Sequence, residues 1–98
     1  MENCCCHKTK KRSEDEYKKL MNRLNRIEGQ IRGIKGMLEK DAYCVDVLLQ
    51  VSAANAALNA FSRELLSEHI NGCVVKDIQS GNKDSVQELV ELLPKLMK

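Results

Sequence analysis

Ninety-eight residues with three aromatics (Tyr17, Tyr43, Phe61), one proline and five cysteines make at most one domain, and so few aromatics argue against a β-sandwich or barrel. The formal charge of +2 conceals an asymmetry: residues 1–40 carry eleven Lys/Arg against six Asp/Glu, whereas residues 41–98 carry five against eight. There is no apolar signal region after Met-Glu-Asn-Cys and no apolar run of bilayer width, so a cytoplasmic protein with no membrane association is expected, its five cysteines reduced thiols.

Residues 1–13 (MENCCCHKTKKRS) are polar, basic and aperiodic, and read as a flexible cysteine-rich tail; residues 14–98 read as a single helical domain. Ser13 followed by Glu14, Asp15 and Glu16 has the form of a helix start, a capping hydroxyl with acids in the first turn. Leu20, Leu24, Ile27, Ile31, Ile34 and Leu38 then recur at alternating steps of four and three, a heptad seam suited to a partner helix. Gly29, Gly33 and Gly36 weaken this helix, so each is expected to serve packing or close approach. Its end is expected near Lys40–Asp41.

A second helix is expected from Asp41 or Ala42 to Ser80-Gly81, with Gly72 as its one interior breaker. Its alanine-rich middle, Ser52–Ala60, favours helix and close helix–helix contact. At ~1.5 Å per residue such a rod is roughly 55 Å long. A 98-residue monomer cannot cover it, so it must pack along a copy of itself. Val86, Leu89, Val90, Leu93 and Leu96 mark a third, shorter amphipathic helix.

His69 and Cys73 lie four apart on the second helix and share a face, the arrangement by which one helix offers two metal ligands. Alone the pair is weak evidence, since a buried Cys acts as a small hydrophobe. Cys44 is 25 residues before His69, ~37 Å along a straight helix, too far to join it within one chain. In an antiparallel dimer the start of one helix lies beside the end of the other, giving two equivalent sites related by the twofold axis. Two thiolates and an imidazole form a soft set that selects Cu(I) or Zn(II); because structural zinc takes four ligands, three favour Cu(I). The same two cysteines, brought close, are equally able to form a disulfide or persulfide bridge in a redox sensor. No hydrolytic triad, phosphate-binding glycine loop or carboxylate pair is present, so no enzyme is expected.

Residues Arg23–Ile34 (RLNRIEGQIRGI), Asp41–Leu48 (DAYCVDVL) and His69–Cys73 (HINGC) resemble the CsoR/RcnR/FrmR family of bacterial metal- and stress-responsive repressors, over about residues 17–93. The resemblance implies an all-α fold with three helices per chain, an antiparallel four-helix-bundle dimer assembling into a tetramer. It also implies a repressor that holds operator DNA when ligand-free and is released by its effector. Within the family, Cys followed by His-x-x-x-Cys is the copper-sensing pattern, which makes Cys44, His69 and Cys73 the Cu(I) ligands and copper efflux or homeostasis genes the targets. Tyr43 matches the tyrosine beside the first cysteine. Glu88, after a one-residue gap, matches an outer glutamate that senses the bound histidine. Persulfide sensors of the family lack the histidine, formaldehyde sensors the second cysteine, and nickel/cobalt sensors use a histidine-richer set with an N-terminal ligand. Cys4, Cys5, Cys6 and His7 depart from the pattern; as accessory ligands they would favour nickel, cobalt or zinc.

Six basic residues and one acid, Glu28, lie between Lys18 and Lys35. Lys18, Lys19, Arg23, Arg26, Arg32 and Lys35 are the expected phosphate contacts on double-stranded DNA, the role the family's first helix has, with steep salt dependence. The scarcity of aromatics disfavours single-strand binding by stacking. A ligand-free structural bundle is the remaining alternative, and is separated from both sensors by whether metal or thiol chemistry changes DNA binding.

Overall fold

The structure is a computed structural model that describes residues 11–96. It contains three helices in chain order: α1 over Glu14–Glu39, α2 over Cys44–Gln79 and α3 over Asp84–Leu96. Among the described residues there is no strand.

Local chemistry accounts for each boundary. The Ser13 hydroxyl accepts from the Glu16 N–H at 3.2 Å and the Glu16 carboxylate accepts from the Ser13 N–H at 3.4 Å. This reciprocal capping box satisfies two donors that a helix start leaves unpaired. At the other end of α1, the Asp41 N–H donates to the Leu38 carbonyl (3.2 Å) and the Ala42 N–H to the Met37 carbonyl (2.9 Å), with Asp41 at φ 58°. Those two bonds around one left-handed residue form a Schellman stop. Asp41 and Ala42 are spent closing α1, so α2 begins at Cys44 rather than at Asp41 or Ala42, its first turn closed by Val47 N–H to the Tyr43 carbonyl at 3.1 Å.

Along α2, Cys44–His69 is α-helical, Ile70–Val74 widens into a π turn, and Val75–Gln79 returns to α geometry. The Val75 N–H reaches the Ile70 carbonyl, five residues back. The expectation of a uniform rod is corrected here: Gly72, expected only as a weak point, lies within a π turn. Single π turns of this kind occur frequently at functional positions.

The chain divides into two compact units, Ser13–Leu65 and the residues from Leu66 onward. In the first, Leu20 and Ile27 of α1 and Ala54 of α2 are buried. The rest of the heptad seam is not covered within the chain: Leu24 and Ile31 are exposed and Leu38 is 70% exposed, as are Leu48 (64%) and Leu49 (62%) on α2. In the second unit, α3 packs against Ile70–Val74 and Val75–Gln79, and Cys73, Val74, Asp77 and Ser85 are buried.

Two expectations change. The α2 helix is long and apolar enough, by length and composition, to cross a membrane, with 6% of its most apolar stretch buried. The alanine-rich middle has few charges, and this outweighs the polar Ser and Asn scattered through it. Secondly, a Cβ added at Gly29, Gly33 or Gly36 meets nothing within 4 Å. Among the described residues no packing explains these glycines, which leaves close approach by another molecule as the expectation for them.

Candidate metal centre and nucleic-acid interface

Cys44 is the first residue of α2 and Tyr43 precedes it; both side chains are exposed, and the Cys44 thiol is free. Their position follows from the stop at Asp41, which sets the chain in the left-handed region and releases it into α2 three residues later.

His69 ends the α-helical part of α2 and is half-buried, whereas Cys73 sits inside the π turn and is 1% exposed. The π turn alters their relation. Each α-helical step rotates a side chain by about 100°, so residues four apart drift by roughly 40° around the helix. Widening one turn to an i→i+5 bond removes that drift and carries it slightly the other way. His69 and Cys73 therefore still share one face, and Cys73 is turned into the interior formed with α3.

Cys73 is disulfide-bonded in this structure, which corrects the expectation that every cysteine is a reduced thiol. A buried sulfur that is to bind a soft metal must first be a thiolate. His69 and Cys73 both take part in interactions in the second unit. Among the described residues, no group of three or more His, Cys, Asp or Glu is placed to hold a metal ion. One chain thus presents the three expected ligands in two places, Cys44 in the first unit and His69 with Cys73 in the second. Cys4, Cys5, Cys6 and His7 lie outside the described residues.

Glu88 lies on α3, in its second turn, with an exposed side chain that takes part in an interaction. The α3 helix is set by a turn that sequence reading treated only as a breaker. The Gly81 N–H donates to the Ile78 carbonyl (3.1 Å) and the Asn82 N–H to the Asp77 carbonyl (2.8 Å), with Gly81 at φ 89°. This second Schellman stop explains why glycine stands there. The Asn82 side-chain oxygen then accepts from the Asp84 N–H at 2.9 Å. Reading apolar periodicity passed over Asn82; the Gly81-Asn82 pair after a helical run was the available signal.

The six candidate phosphate contacts are all on α1. Lys18, Lys19, Arg23, Arg26, Arg32 and Lys35 are exposed. Arg32 stands 3.9 Å from Glu28, with both side chains well solvated; a pair of that kind contributes little to stability. At about 100° per residue, Lys18 and Arg26 project away from the Leu20–Ile27–Ile34 seam, and Gly29, Gly33 and Gly36 lie among them on that outer side. The helix thus has an apolar side and a basic, glycine-bearing side, and the described chain covers neither completely.

A family model described as metal-sensitive transcriptional repressor matches residues 16–95. The chain is 44% identical over 94 residues to the copper-sensing transcriptional repressor CsoR of Bacillus subtilis, covering 94% of this chain and 93% of that one. It is also 44% identical over 78 residues to the copper-sensing transcriptional repressor RicR of Mycobacterium tuberculosis, covering 80% and 78% respectively. Among solved structures, it is similar to the copper-sensing repressor CsoR with Cu(I) from Geobacillus thermodenitrificans, at a TM-score of 0.86 and 41% identity over 92% of this chain and 95% of that one. The nickel-responsive transcriptional regulator InrS matches at a TM-score of 0.74 and 39% identity, over 88% and 98%.

Proposed function

This chain belongs to the metal-sensitive transcriptional repressor family, and from that premise we propose that it is a cytoplasmic copper(I)-responsive repressor, not an enzyme, which holds operator DNA when metal-free and releases it on binding Cu(I). The observation that carries this reading is the donor set. Cys44, His69 and Cys73 are two sulfurs and an imidazole, which fit a soft monovalent ion better than a hard or four-coordinate one. The copper-sensing relatives from B. subtilis and M. tuberculosis support the same choice.

The ligands act across two copies. Cys44 of one chain would join His69 and Cys73 of a second, because 25 helical residues separate Cys44 from His69. The exposed Leu38, Leu48 and Leu49 give such a dimer the apolar area that association needs, and the same covering suits α2 to water rather than to a bilayer. Pairing of dimers into a tetramer brings several basic α1 faces to one duplex. Lys18, Lys19, Arg23, Arg26, Arg32 and Lys35 contact its phosphates, with binding that weakens steeply with salt. Tyr43, beside the first ligand, and Glu88 on α3 lie around the ligands, Glu88 hydrogen-bonding the second ring nitrogen of His69. Copper binding and DNA binding then oppose each other with equal coupling. The targets of such control, in chemical terms, are genes that remove or store copper.

The same two sulfurs give one second reading, a thiol sensor in which Cys44 and Cys73 react with sulfane sulfur or an oxidant; the disulfide at Cys73 is not a bridge to Cys44, whose thiol is free. One anaerobic titration separates the two. A duplex selected by the reduced, metal-free protein is followed while Cu(I) is added under a competing chelator, then in separate runs with a persulfide donor and with nickel. Release by Cu(I) supports the copper reading; release by the sulfur donor alone overturns it.

A further inference from the structure

Two groups that the proposed response must connect lie on different elements of the second unit: His69 and Cys73 on α2, and Glu88 on α3. One residue is bonded to both elements. The Asn82 main-chain N–H donates to the Asp77 carbonyl at 2.8 Å, closing the last turn of α2. Its side-chain oxygen accepts from the Asp84 N–H at 2.9 Å, opening the first turn of α3. Asp77 is one turn beyond Cys73 and is buried, and its carbonyl also accepts from the Ser80 hydroxyl at 3.0 Å. Ser85, next to Asp84, is 3% exposed, so the start of α3 is buried where Asn82 fastens it. Gly81, at φ 89°, makes the reversal without strain.

We propose that Asn82 is a positioning residue for the response: it makes the orientation of α3, and with it Glu88, follow the end of α2 that carries His69 and Cys73. This rests on the copper reading above. The physical basis is the shortness of the connection. With one residue holding both helix ends, rotation of the π-turn segment cannot be absorbed in a slack loop and must be passed on to α3. Without the side-chain oxygen, the Asp84 N–H loses its acceptor, and the start of α3 keeps only the chain through Lys83, the Gln87 N–H to Lys83 carbonyl bond and packing. Metal then still binds α2, but its effect on DNA is diluted.

The test uses the full chain with Asn82→Ala, Asn82→Asp and the wild type. Asp keeps both the N–H and an oxygen acceptor. Three quantities are read: Cu(I) affinity by chelator competition, the affinity of the metal-free and Cu(I)-loaded forms for a selected duplex, and amide hydrogen exchange of the metal-free protein. The expected result for Asn82→Ala is a Cu(I) affinity within about threefold of wild type and a ratio of metal-free to loaded DNA affinity reduced about tenfold. Amides at the start of Asp84–Leu96 exchange faster while those of α1 do not change, and Asn82→Asp restores both. An Asn82→Ala protein with the wild-type ratio overturns the proposal. Should the wild type itself keep its DNA in Cu(I), the copper reading fails by that result. The exchange data then decide the role of Asn82 separately: unchanged α3 exchange in Asn82→Ala overturns it, and faster α3 exchange reversed by Asp supports it. A thermal melt of each variant checks that the comparison is made on folded protein.

Discussion

Replacing Gly33 with alanine probes which side of α1 meets another molecule. Glycine in a helix interior costs about 1 kcal/mol relative to alanine, because it loses more backbone freedom on folding. The added Cβ at Gly33 meets nothing within 4 Å, so no steric term offsets that gain. The position lies across α1 from the apolar seam, and a second copy docking on Leu24, Ile31 and Leu38 does not touch it. Gly33→Ala should therefore stabilise the assembled protein by about 1 kcal/mol, read by urea unfolding at fixed protein concentration, since an oligomer's stability depends on concentration. Affinity for the selected duplex should fall at the same time, because Arg26 and Lys18 share this outer side and an added methyl holds the phosphate backbone away. Unchanged or reduced stability would refute the reasoning: it would mean that a second protein chain, rather than DNA, occupies the glycine face.

Three further outcomes follow. Asp41→Gly removes a side chain from the left-handed region (φ 58°) and should raise unfolding free energy by ~1 kcal/mol, with no change in Cu(I) affinity by chelator competition; a lower stability would mean that the Asp41 side chain supports the turn. Mixing unfolded Cys44→Ala and Cys73→Ala chains and refolding them together should recover about one quarter of the wild-type Cu(I) capacity by random pairing, although neither variant alone binds tightly. No recovery would place all three ligands in one chain or elsewhere. Arg26→Ala should reduce the slope of log affinity against log salt by about one for each copy that touches a phosphate; an unchanged slope removes Arg26 from the interface.

The helices were legible because their signals are local and redundant. The Leu20–Leu38 seam, the acids after Ser13 and the alanine run of α2 each point to helix on their own, and the family match at residues 16–95 agrees with the motifs around Arg23–Ile34, Asp41–Leu48 and His69–Cys73. What escaped reading depends on bonds rather than side-chain character. The start of α2 was misplaced because Asp41, with no glycine to announce it, occupies the left-handed region. The π turn has no composition of its own: Ile-Asn-Gly-Cys-Val reads as ordinary helix with one weak residue. The suitability of α2 for a bilayer was missed because no single uninterrupted apolar run is present, while its average over a longer stretch is apolar. The candidate site reads from the sequence as three residue types at a telling separation; one chain does not bring them together, and the proposed union needs a second copy.

The uncovered apolar side of the first unit also bears on abundance. If a chain whose Leu38, Leu48 and Leu49 face water pairs with a copy of itself as proposed, it gains stability with every increase in its own concentration, because association follows mass action. Such a regulator has a threshold built into its supply. Below it, newly made chains present α2, an apolar helix of 36 residues, to chaperones, proteases and lipid surfaces. Above it, the same helix is withdrawn by pairing and the paired form accumulates. Gene dosage and turnover would then set the point at which the cell possesses a working sensor at all, before any metal arrives.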